Sequence, residues 1–310
     1  MNSSAPNRKY AIAVAAVGLI GFALYWTDPR TKGYSNLAVF RHMTSGPDTG
    51  RGVWALAGPS NAFDSSTKFP RLFGLEGDIP VAGDFLGNGT VEIGVFRCPP
   101  PGRGVCQWYI DLNNNGHWDG LSGDVIWNFG SPGDLPAVGD WNGSGVAKIG
   151  VMRCPAVAGV CTWYLDTGNK HTYDPATAGA YLFGLTGDKP VVGPWADKSN
   201  VAPVDQIGVF RCSVAGTCAW IVDSLGVTAL STAVPVGVSS SGTTFHFGLP
   251  GDLPVVGNWN ASGKKRIGVF RHGQWFVDSN GNGVFDPGTD QVFNFGLTGD
   301  RPVVGFWTLP

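Results

Sequence analysis

The sequence predicts an all-β protein, a five-bladed β-propeller preceded by one N-terminal transmembrane helix. Three observations support this prediction. The composition is rich in turn residues, with 47 Gly and 22 Pro among 310 residues, and only 14% of the residues are charged, which leaves little material for solvated helices. A block that begins with Phe-Gly recurs five times along the chain. The N-terminal region carries an uncharged apolar run.

The first element is that apolar run, YAIAVAAVGLIGFALYW, at residues 10–26. At about 1.5 Å per residue, a helix of this length just crosses the hydrocarbon core of a bilayer. We therefore expect a cytoplasmic tail at 1–9, a transmembrane helix at 10–26 and a linker at 27–36. The alternative is a cleaved signal peptide, but the nearest small-residue cleavage site, at 21–23, lies inside the apolar run.

Three blocks then recur in a fixed order and define five repeats. The first block, Phe-Gly-x-x-Gly-Asp-x-Pro, begins at Phe73, Phe129, Phe183, Phe247 and Phe295. The second block, an apolar run that closes on arginine, ends at Arg41, Arg97, Arg153, Arg211 and Arg271. The third block places a tryptophan at Trp54, Trp108, Trp163, Trp220 and Trp275. Self-similarity of this kind is typical of repeat architectures.

Each repeat contains four short apolar stretches separated by turn residues, which is the pattern of a propeller blade. Five repeats predict a five-bladed propeller at residues 37–310. The chain enters at a second strand, residues 37–41, and leaves after a lone first strand, residues 302–307. Pairing of these two segments would complete one blade and close the ring. The alternative is an open array of β units, whose end strands would need caps.

The repeats resemble bacterial FG-GAP/VCBS-type propeller repeats. The resemblance rests on the block FGSPGDLPAVGDWNGSG that begins at Phe129 and on its counterpart at Phe247, and it covers residues 37–307. It implies a propeller that serves adhesion, sugar binding or scaffolding. One departure concerns the calcium loop of that family. Here the corresponding turns end in Lys148 and Arg266, so we do not expect calcium in them.

The six cysteines form three closely spaced pairs, Cys98 and Cys106, Cys154 and Cys161, and Cys212 and Cys218. Each pair brackets the connection between the second and third strands of a repeat, where facing hairpin positions lie within reach of a disulfide. A metal site would need closer spacing and additional ligands nearby. We therefore predict three hairpin disulfides. Because disulfides persist in oxidising compartments, we expect a periplasmic or extracellular propeller and a cytoplasmic N-terminus.

The sequence offers little support for catalysis or nucleic-acid binding. The formal net charge is −2, so the basic surplus that a nucleic-acid partner requires is missing. The motifs of serine hydrolases, zinc proteases and phosphate-binding loops are absent from the sequence. Most acids and tryptophans recur in each repeat, as turn, capping and packing residues do, whereas a catalytic acid acts once. We predict a protein that is not an enzyme.

Two loops match the spacing of calcium ligands. One offers oxygen side chains at Asp111, Asn113, Asn115 and Asp119, and the other at Asp278, Asn280, Asn282 and Asp286. These are positions 1, 3, 5 and 9 of a calcium loop, and the two asparagines in each predict weak binding of Ca²⁺. Asp124 and Asp290 could add a further ligand. The alternative is an Asn/Gly-rich hairpin turn without metal.

Three segments break the repeat, at residues 225–245, 196–206 and 99–104. Non-periodic loops on a rigid scaffold commonly carry partner contacts. We therefore expect the propeller to act as a structural or interaction subunit of a larger membrane-protein complex, for example a respiratory, photosynthetic or transport assembly. The alternative is a carbohydrate-binding, lectin-like or adhesion protein of the cell surface, with repeated pockets that bind glycan.

Overall fold

The protein folds as a five-bladed β-propeller in a computed structural model. The structure describes residues 24–25, 35–58, 61, 68–172, 179–195, 204–213, 216–223 and 242–307. These residues form five sheets, each built around a four-stranded antiparallel blade. The all-β prediction and the number of blades are confirmed.

The strands are short and follow the repeat closely. In chain order they are β1 (Leu24–Tyr25), β2 (Asn36–His42), β3 (Gly52–Leu56), β4 (Lys68–Arg71), β5 (Ile79–Gly83), β6 (Glu92–Arg97), β7 (Gln107–Ile110), β8 (Val125–Asn128), β9 (Leu135–Gly139), β10 (Lys148–Arg153), β11 (Val160–Leu165), β12 (Gly179–Leu185), β13 (Lys189–Gly193), β14 (Gln206–Cys212), β15 (Cys218–Asp223), β16 (Gly242–Phe245), β17 (Leu253–Gly257), β18 (Arg266–Arg271), β19 (Gln274–Val277), β20 (Gln291–Asn294) and β21 (Arg301–Gly305). A 3₁₀ turn lies at Gly120–Ser122.

The blades are numbered by their order around the ring. Blade 1 contains β21, β2, β3 and β4, and blades 2 to 5 contain β5–β8, β9–β12, β13–β16 and β17–β20. We call the four strands of a blade A to D, from the ring axis outward. Since neighbouring strands are antiparallel, the A–B and C–D connections lie on one face of the ring. The B–C connections and the D–A links between blades lie on the other face.

The A strands, whose sequences are close to Pro-Val-Val-Gly, surround the ring axis and lie against one another. Proline at the second position is tolerated because the A strand is the inner edge of its blade, where a missing N–H breaks no ladder bond. The final glycine is needed for space, since a Cβ at Gly139 would lie 2.7 Å from the ring of Trp141. The central residues of these strands are buried and form part of the core.

The ring closes through its two ends, as the repeat phase predicts. β21 pairs with β2 in antiparallel register, with Leu37 opposite Val304 and Val39 opposite Pro302. Main-chain hydrogen bonds also join successive blades. The residue before a B strand donates to the residue after the previous blade's A strand, as in Ala147 N–H to Asp84 O at 2.8 Å. The same bond joins Asp205 to Asp140, Ser35 to Asn258 and Val91 to Phe306.

The two described residues of the predicted transmembrane helix are extended. Leu24 and Tyr25 form β1, which pairs in parallel with β5 and lies close to all five A strands. The predicted helix therefore does not include Leu24 and Tyr25 in this structure, because these two residues pair with the inner strand of blade 2. Residues 1–23 and 26–34 lie outside the described residues. Within the described part of the chain, no helix has the length and apolarity to span a bilayer.

The predicted non-periodic segments are only partly described. Residues 99–104 form the tip of the B–C connection in blade 2. Residues 196–203 and 224–241 lie outside the described residues. The prediction of a loop at 225–245 was wrong at its end, because Gly242–Phe245 forms the D strand of blade 4 and pairs with β15.

Candidate cation-binding loops

The recurring aspartate of the Phe-Gly block is part of an ion pair inside its own repeat. In blade 2, Arg97 Nε and Nη2 donate to the two carboxylate oxygens of Asp78, each at 2.7 Å, and Leu75 N–H donates to the same carboxylate. The aspartates of this set have side chains only 1–2% exposed. The five pairs are Arg41–Asp300, Arg97–Asp78, Arg153–Asp134, Arg211–Asp188 and Arg271–Asp252.

The recurring tryptophans lie in the blade core. In every blade the indole N–H of the C-strand tryptophan donates to the carbonyl oxygen of the Phe-Gly phenylalanine, as from Trp108 to Phe129 at 3.0 Å. All five of these indoles are fully buried. The other four bonds join Trp54 to Phe73, Trp163 to Phe183, Trp220 to Phe247 and Trp275 to Phe295. The prediction that they pack the blades is confirmed.

The three predicted disulfides are present. They join Cys98 to Cys106, Cys154 to Cys161 and Cys212 to Cys218 across the B–C connections of blades 2, 3 and 4. Cys212 and Cys218 lie directly opposite each other in the strand register. The hairpin geometry that motivated the prediction is therefore the one observed.

The candidate calcium loops belong to a larger set that shares one backbone arrangement. An aspartate begins the loop, and its Oδ2 accepts the N–H of the residue five positions later. We call this arrangement the Asp loop and number its residues from that aspartate. The bonds are Gly89 to Asp84 at 2.7 Å, Gly116 to Asp111 at 2.7 Å, Gly145 to Asp140 at 2.5 Å, His171 to Asp166 at 2.7 Å and Gly283 to Asp278 at 2.8 Å.

The Asp loop needs two left-handed residues. In the blade 2 C–D connection, positions 4 and 6 are Asn114 and Gly116, with φ of 60° and 81°. Gly143 and Gly145, in the A–B connection of blade 3, have φ of 69° and 80°. Glycine and asparagine adopt this conformation most readily. The loop shared by the A–B and C–D connections was not predicted, although the pattern Asp-x-x-Gly/Asn-x-Gly marks it at Asp84, Asp111, Asp140 and Asp278.

The structure brings the predicted ligand residues of blade 2 together. Asn113 Nδ2 donates to Asp119 Oδ2 at 2.8 Å, and Asn115 Nδ2 donates to the same oxygen. Asn113 Oδ1 accepts the N–H of Asn115 at 3.1 Å. Asp111 lies beneath them, with no exposed surface. Asn113, Asn115 and Asp119 are thus joined by side-chain hydrogen bonds, and Asp111 accepts the N–H groups of Asn115 and Gly116.

The loop of blade 5 repeats this arrangement. Asn280 and Asn282 donate their side-chain amides to Asp286 Oδ2 at 3.0 and 2.5 Å. Asp278 is buried below and accepts the N–H of Gly281 at 2.6 Å. In the part of the chain that the structure describes, no three His, Cys, Asp or Glu side chains cluster as a metal site, so a cation here would rely on amide as well as carboxylate oxygens.

Asp124 and Asp290 accept hydrogen bonds from backbone N–H groups of the loops. Asp124 Oδ2 accepts the N–H of Asp119 at 2.7 Å. Asp290 accepts the N–H groups of Ser279 and Asp286, each at 2.8 Å. Asp290 thus uses both carboxylate oxygens on the backbone, whereas Asp124 Oδ1 is buried and has no hydrogen-bond partner among the described residues. The further-ligand role of these two aspartates stays a prediction.

Burial disfavours the charged form of the aspartate at the first position of these loops. It raises the pKa of Asp111 to about 6 and also raises the pKa of Asp278. At the exposed ninth position, hydrogen bonds from Asn113 and Asn115 lower the pKa of Asp119. A cation placed among these groups would favour the charged form of each carboxylate. Each loop therefore combines one buried and one more exposed carboxylate with two amide side chains, and these are oxygen donors of the types that Ca²⁺ takes.

These loops also join neighbouring blades. Arg71, at the end of the D strand of blade 1, donates to Asn114 O at 2.7 Å. In blade 5, the ring of Phe285 lies 6.2 Å from that of Phe247 in the preceding repeat. His171, in the Asp loop of blade 3, stacks on Trp127 of blade 2 with the ring centroids 3.9 Å apart. The C–D loops therefore contribute to the contacts that hold the ring together.

Comparisons with known proteins provide no family assignment. No protein-family model matches the chain, and searches of curated proteins and of solved structures also found no match. The fold therefore rests on the strand pairing of the chain itself. The resemblance to FG-GAP/VCBS-type repeats stays a prediction.

Proposed function

We propose that this protein is a non-enzymatic, membrane-anchored propeller on the extracytoplasmic side of a membrane, where it acts as a structural or interaction subunit of a larger membrane-protein complex. Respiratory, photosynthetic and transport assemblies are the classes we propose. The observation that carries this proposal is the internal use of the repeated polar and aromatic residues.

A glycan-binding propeller would be expected to present aromatic and acidic side chains at the surface of each blade. Here the C-strand tryptophans are fully buried and bonded to carbonyl groups, and Asp78 and its equivalents are paired with arginine. Specific contacts would therefore come from side chains that vary between blades. Many of these lie in the connecting loops, where binding residues concentrate.

The disulfides support the proposed location. Three closed hairpins account for all six cysteines, and bonds of this kind persist outside the reducing cytoplasm. The apolar run at residues 10–26 supports anchoring, because its composition and length suit a short span. Together they favour a cytoplasmic N-terminus and a periplasmic or extracellular propeller.

We also propose that the Asp111 and Asp278 loops bind Ca²⁺. The support is that the side chains at positions 3, 5 and 9 contact one another in both loops, while the buried aspartate at position 1 accepts N–H groups of the same loop. Each loop supplies two aspartates and two asparagines, so we expect dissociation constants of roughly 10⁻⁴–10⁻³ M, the range of extracellular modules. Calcium would then strengthen blade-to-blade contacts and leave the scaffold role unchanged.

Purification of the full-length protein from native membranes in mild detergent tests the function. We expect a membrane-protein partner to co-purify at a fixed ratio and to stay associated through size-exclusion chromatography. A glycan array probed with the same preparation tests the lectin alternative. Specific glycan binding by a protein that purifies alone would contradict the scaffold proposal.

A further inference from the structure

The A–B connection of blade 3 is an Asp loop that contains its own cation. Lys148, at the ninth position, directs its Nζ to four oxygens of the loop. The distances are 2.7 Å to Asn142 Oδ1, 2.6 Å to Ser144 Oγ, 2.9 Å to Val146 O and 3.2 Å to Asp140 Oδ1. Calcium loops ligate their ion from the same positions 1, 3, 5 and 7.

The ammonium group is enclosed by this loop. The side chains of Lys148 and Asp140 are only 3% and 5% exposed. A charge with so little access to water must be balanced by nearby partners, and the four oxygens supply them. Their distances to Nζ, 2.6–3.2 Å, suit an N–H donor, and all but the 2.6 Å contact with Ser144 are longer than the 2.3–2.6 Å of calcium coordination.

The Asp111 loop provides a direct comparison within the same chain. Positions 1, 3 and 6 are Asp, Asn and Gly in both loops, and the aspartate accepts the N–H of the fifth residue in both, from Asn115 at 3.1 Å and from Ser144 at 3.0 Å. The ninth position differs, with Asp119 in one loop and Lys148 in the other. One loop thus ends in a candidate ligand and the other in a cation.

We infer that Lys148 is a built-in replacement for a metal ion, and that its ammonium group occupies the cation position of the Asp loop. This inference rests on the geometry of the blade 3 loop and does not depend on the proposed scaffold function. It predicts that this turn folds without calcium. Its location gives it a role in assembly, because Asp140 is bonded to Asp205 of blade 4 and Ala147 to Asp84 of blade 2.

The inference predicts that the charge at position 9 decides whether the loop needs calcium. In the full-length protein, Lys148→Asp should lower the melting temperature by about 5–10 °C in chelator, since it places a second buried carboxylate beside Asp140 and removes the cation that balanced the first. Millimolar Ca²⁺ should restore most of that loss, and calorimetry should count one more calcium site than in the wild type. The matched control, Lys148→Met, removes the charge but keeps the side-chain length. It should be destabilised to a similar extent and should not respond to the added calcium beyond the wild-type response.

The reciprocal variant keeps the test decisive if Lys148→Asp fails to fold without calcium. Asp119→Lys should remove one calcium site and leave the melting temperature in chelator at or above that of the wild type. Equal melting of Lys148→Asp and Lys148→Met at every calcium concentration, with no additional site, would overturn the inference. Where the wild type binds Ca²⁺ in the Asp111 loop, an Asp119→Lys protein that melts lower in chelator and keeps every calcium site would also overturn it; a wild type without that site contradicts the calcium proposal alone. Neither result bears on partner capture, which is measured separately.

Discussion

At the scale of single residues, position 9 of the Asp loop carries the chemistry that differs between blades. Blade 2 has Glu92 at this position in its A–B loop, and its Oε2 accepts the N–H of Phe85 at 2.8 Å. The side chain is 1% exposed. Burial, with a smaller contribution from Asp84, raises the pKa of Glu92 to about 8, so the group is mostly neutral at pH 7. In this loop, protonation of Glu92 removes the negative charge at position 9.

Glu92 should make stability depend on pH. Its folded pKa lies above the unfolded value of about 4.3, so the folded state binds more protons and stability falls as pH rises from about 4.5 to 8. Glu92→Gln removes this titration. We expect melting temperatures close to those of the wild type at pH 5 and higher than those of the wild type at pH 9. The control is Glu76→Gln, at the exposed second glutamate, which should follow the wild type throughout. A constant difference between Glu92→Gln and wild type across this range would contradict the assignment.

The sequence was most informative where one residue has one structural task. The cysteine pairs and the repeated tryptophans were predictable because hairpin position and aromatic burial are local consequences of the repeat. The partner of Asp78 was not predicted, since Arg97 lies on the next strand and the pair depends on how the strands are aligned. The ammonium site of Lys148 was also missed, because a lysine in a turn is usually solvated. The cation role is visible only in the folded protein, where Lys148 is buried and contacts four loop oxygens.

At the scale of elements, the Asp loop connects strands on one face of the ring. The first aspartate shapes the loop by accepting backbone N–H groups, while the ninth residue determines the charge at its centre. These two tasks respond differently to mutation. Replacement of Asp111 would damage the turn with or without metal. Asp119 and Asp286 are the better positions at which to test calcium, since they lie at the exposed end of the loop.

The double variant Asp119→Ala/Asp286→Ala tests the calcium proposal. Wild-type protein should gain thermal stability as Ca²⁺ rises through the millimolar range, by mass action on the folded state. The variant should lose this gain while melting close to the wild type in chelator. Calcium binding should also be weaker at pH 5 than at pH 7, because the raised pKa of Asp111 favours its neutral form in the more acidic buffer. Magnesium serves as the control ion. An identical calcium response in both proteins would favour plain turns.

Strand boundaries were predicted less accurately than strand order. The block sequences located the A, B and C strands, since their apolar residues recur in each repeat. The D strand carries weaker patterns, as in β20, where three of four residues are exposed. This explains why Gly242–Phe245 was assigned to a loop. β1 was not predicted, because its two residues lie outside the repeats and within an apolar run whose composition favours a helix.

At the scale of the whole molecule, the N-terminal run has two competing locations. Leu24 and Tyr25 lie along the ring axis in the structure, whereas the anchoring proposal places residues 10–26 in a bilayer. Alkaline extraction of membranes distinguishes them. We expect full-length protein to remain with the membrane and a variant lacking residues 1–23 to be released as a folded ring. Release of the full-length protein under the same conditions would indicate that the run is held by the propeller and does not act as an anchor.

The propeller as a whole is a rigid support with interchangeable loops. Each blade buries its repeated residues and contacts its neighbours through main-chain bonds, so the ring tolerates variation in its connections. The longest departure from the repeat begins after Asp223, between the C and D strands of blade 4. We expect a specific partner to contact that segment, because the other surfaces of the propeller repeat from blade to blade.

A graft at this position tests the central claim most directly. Residues 225–241 are replaced by residues 113–123 of blade 2, which leaves strands β15 and β16 intact. A control protein carries the same graft in place of residues 280–289 of blade 5, where the native loop is already compact. Both proteins are purified in mild detergent, checked for cooperative melting and compared for co-purifying proteins. We expect the blade 5 graft to retain the partner and the blade 4 graft to lose it. An unchanged co-purification profile for the blade 4 graft, together with glycan binding that survives it, would contradict the scaffold function and favour a lectin.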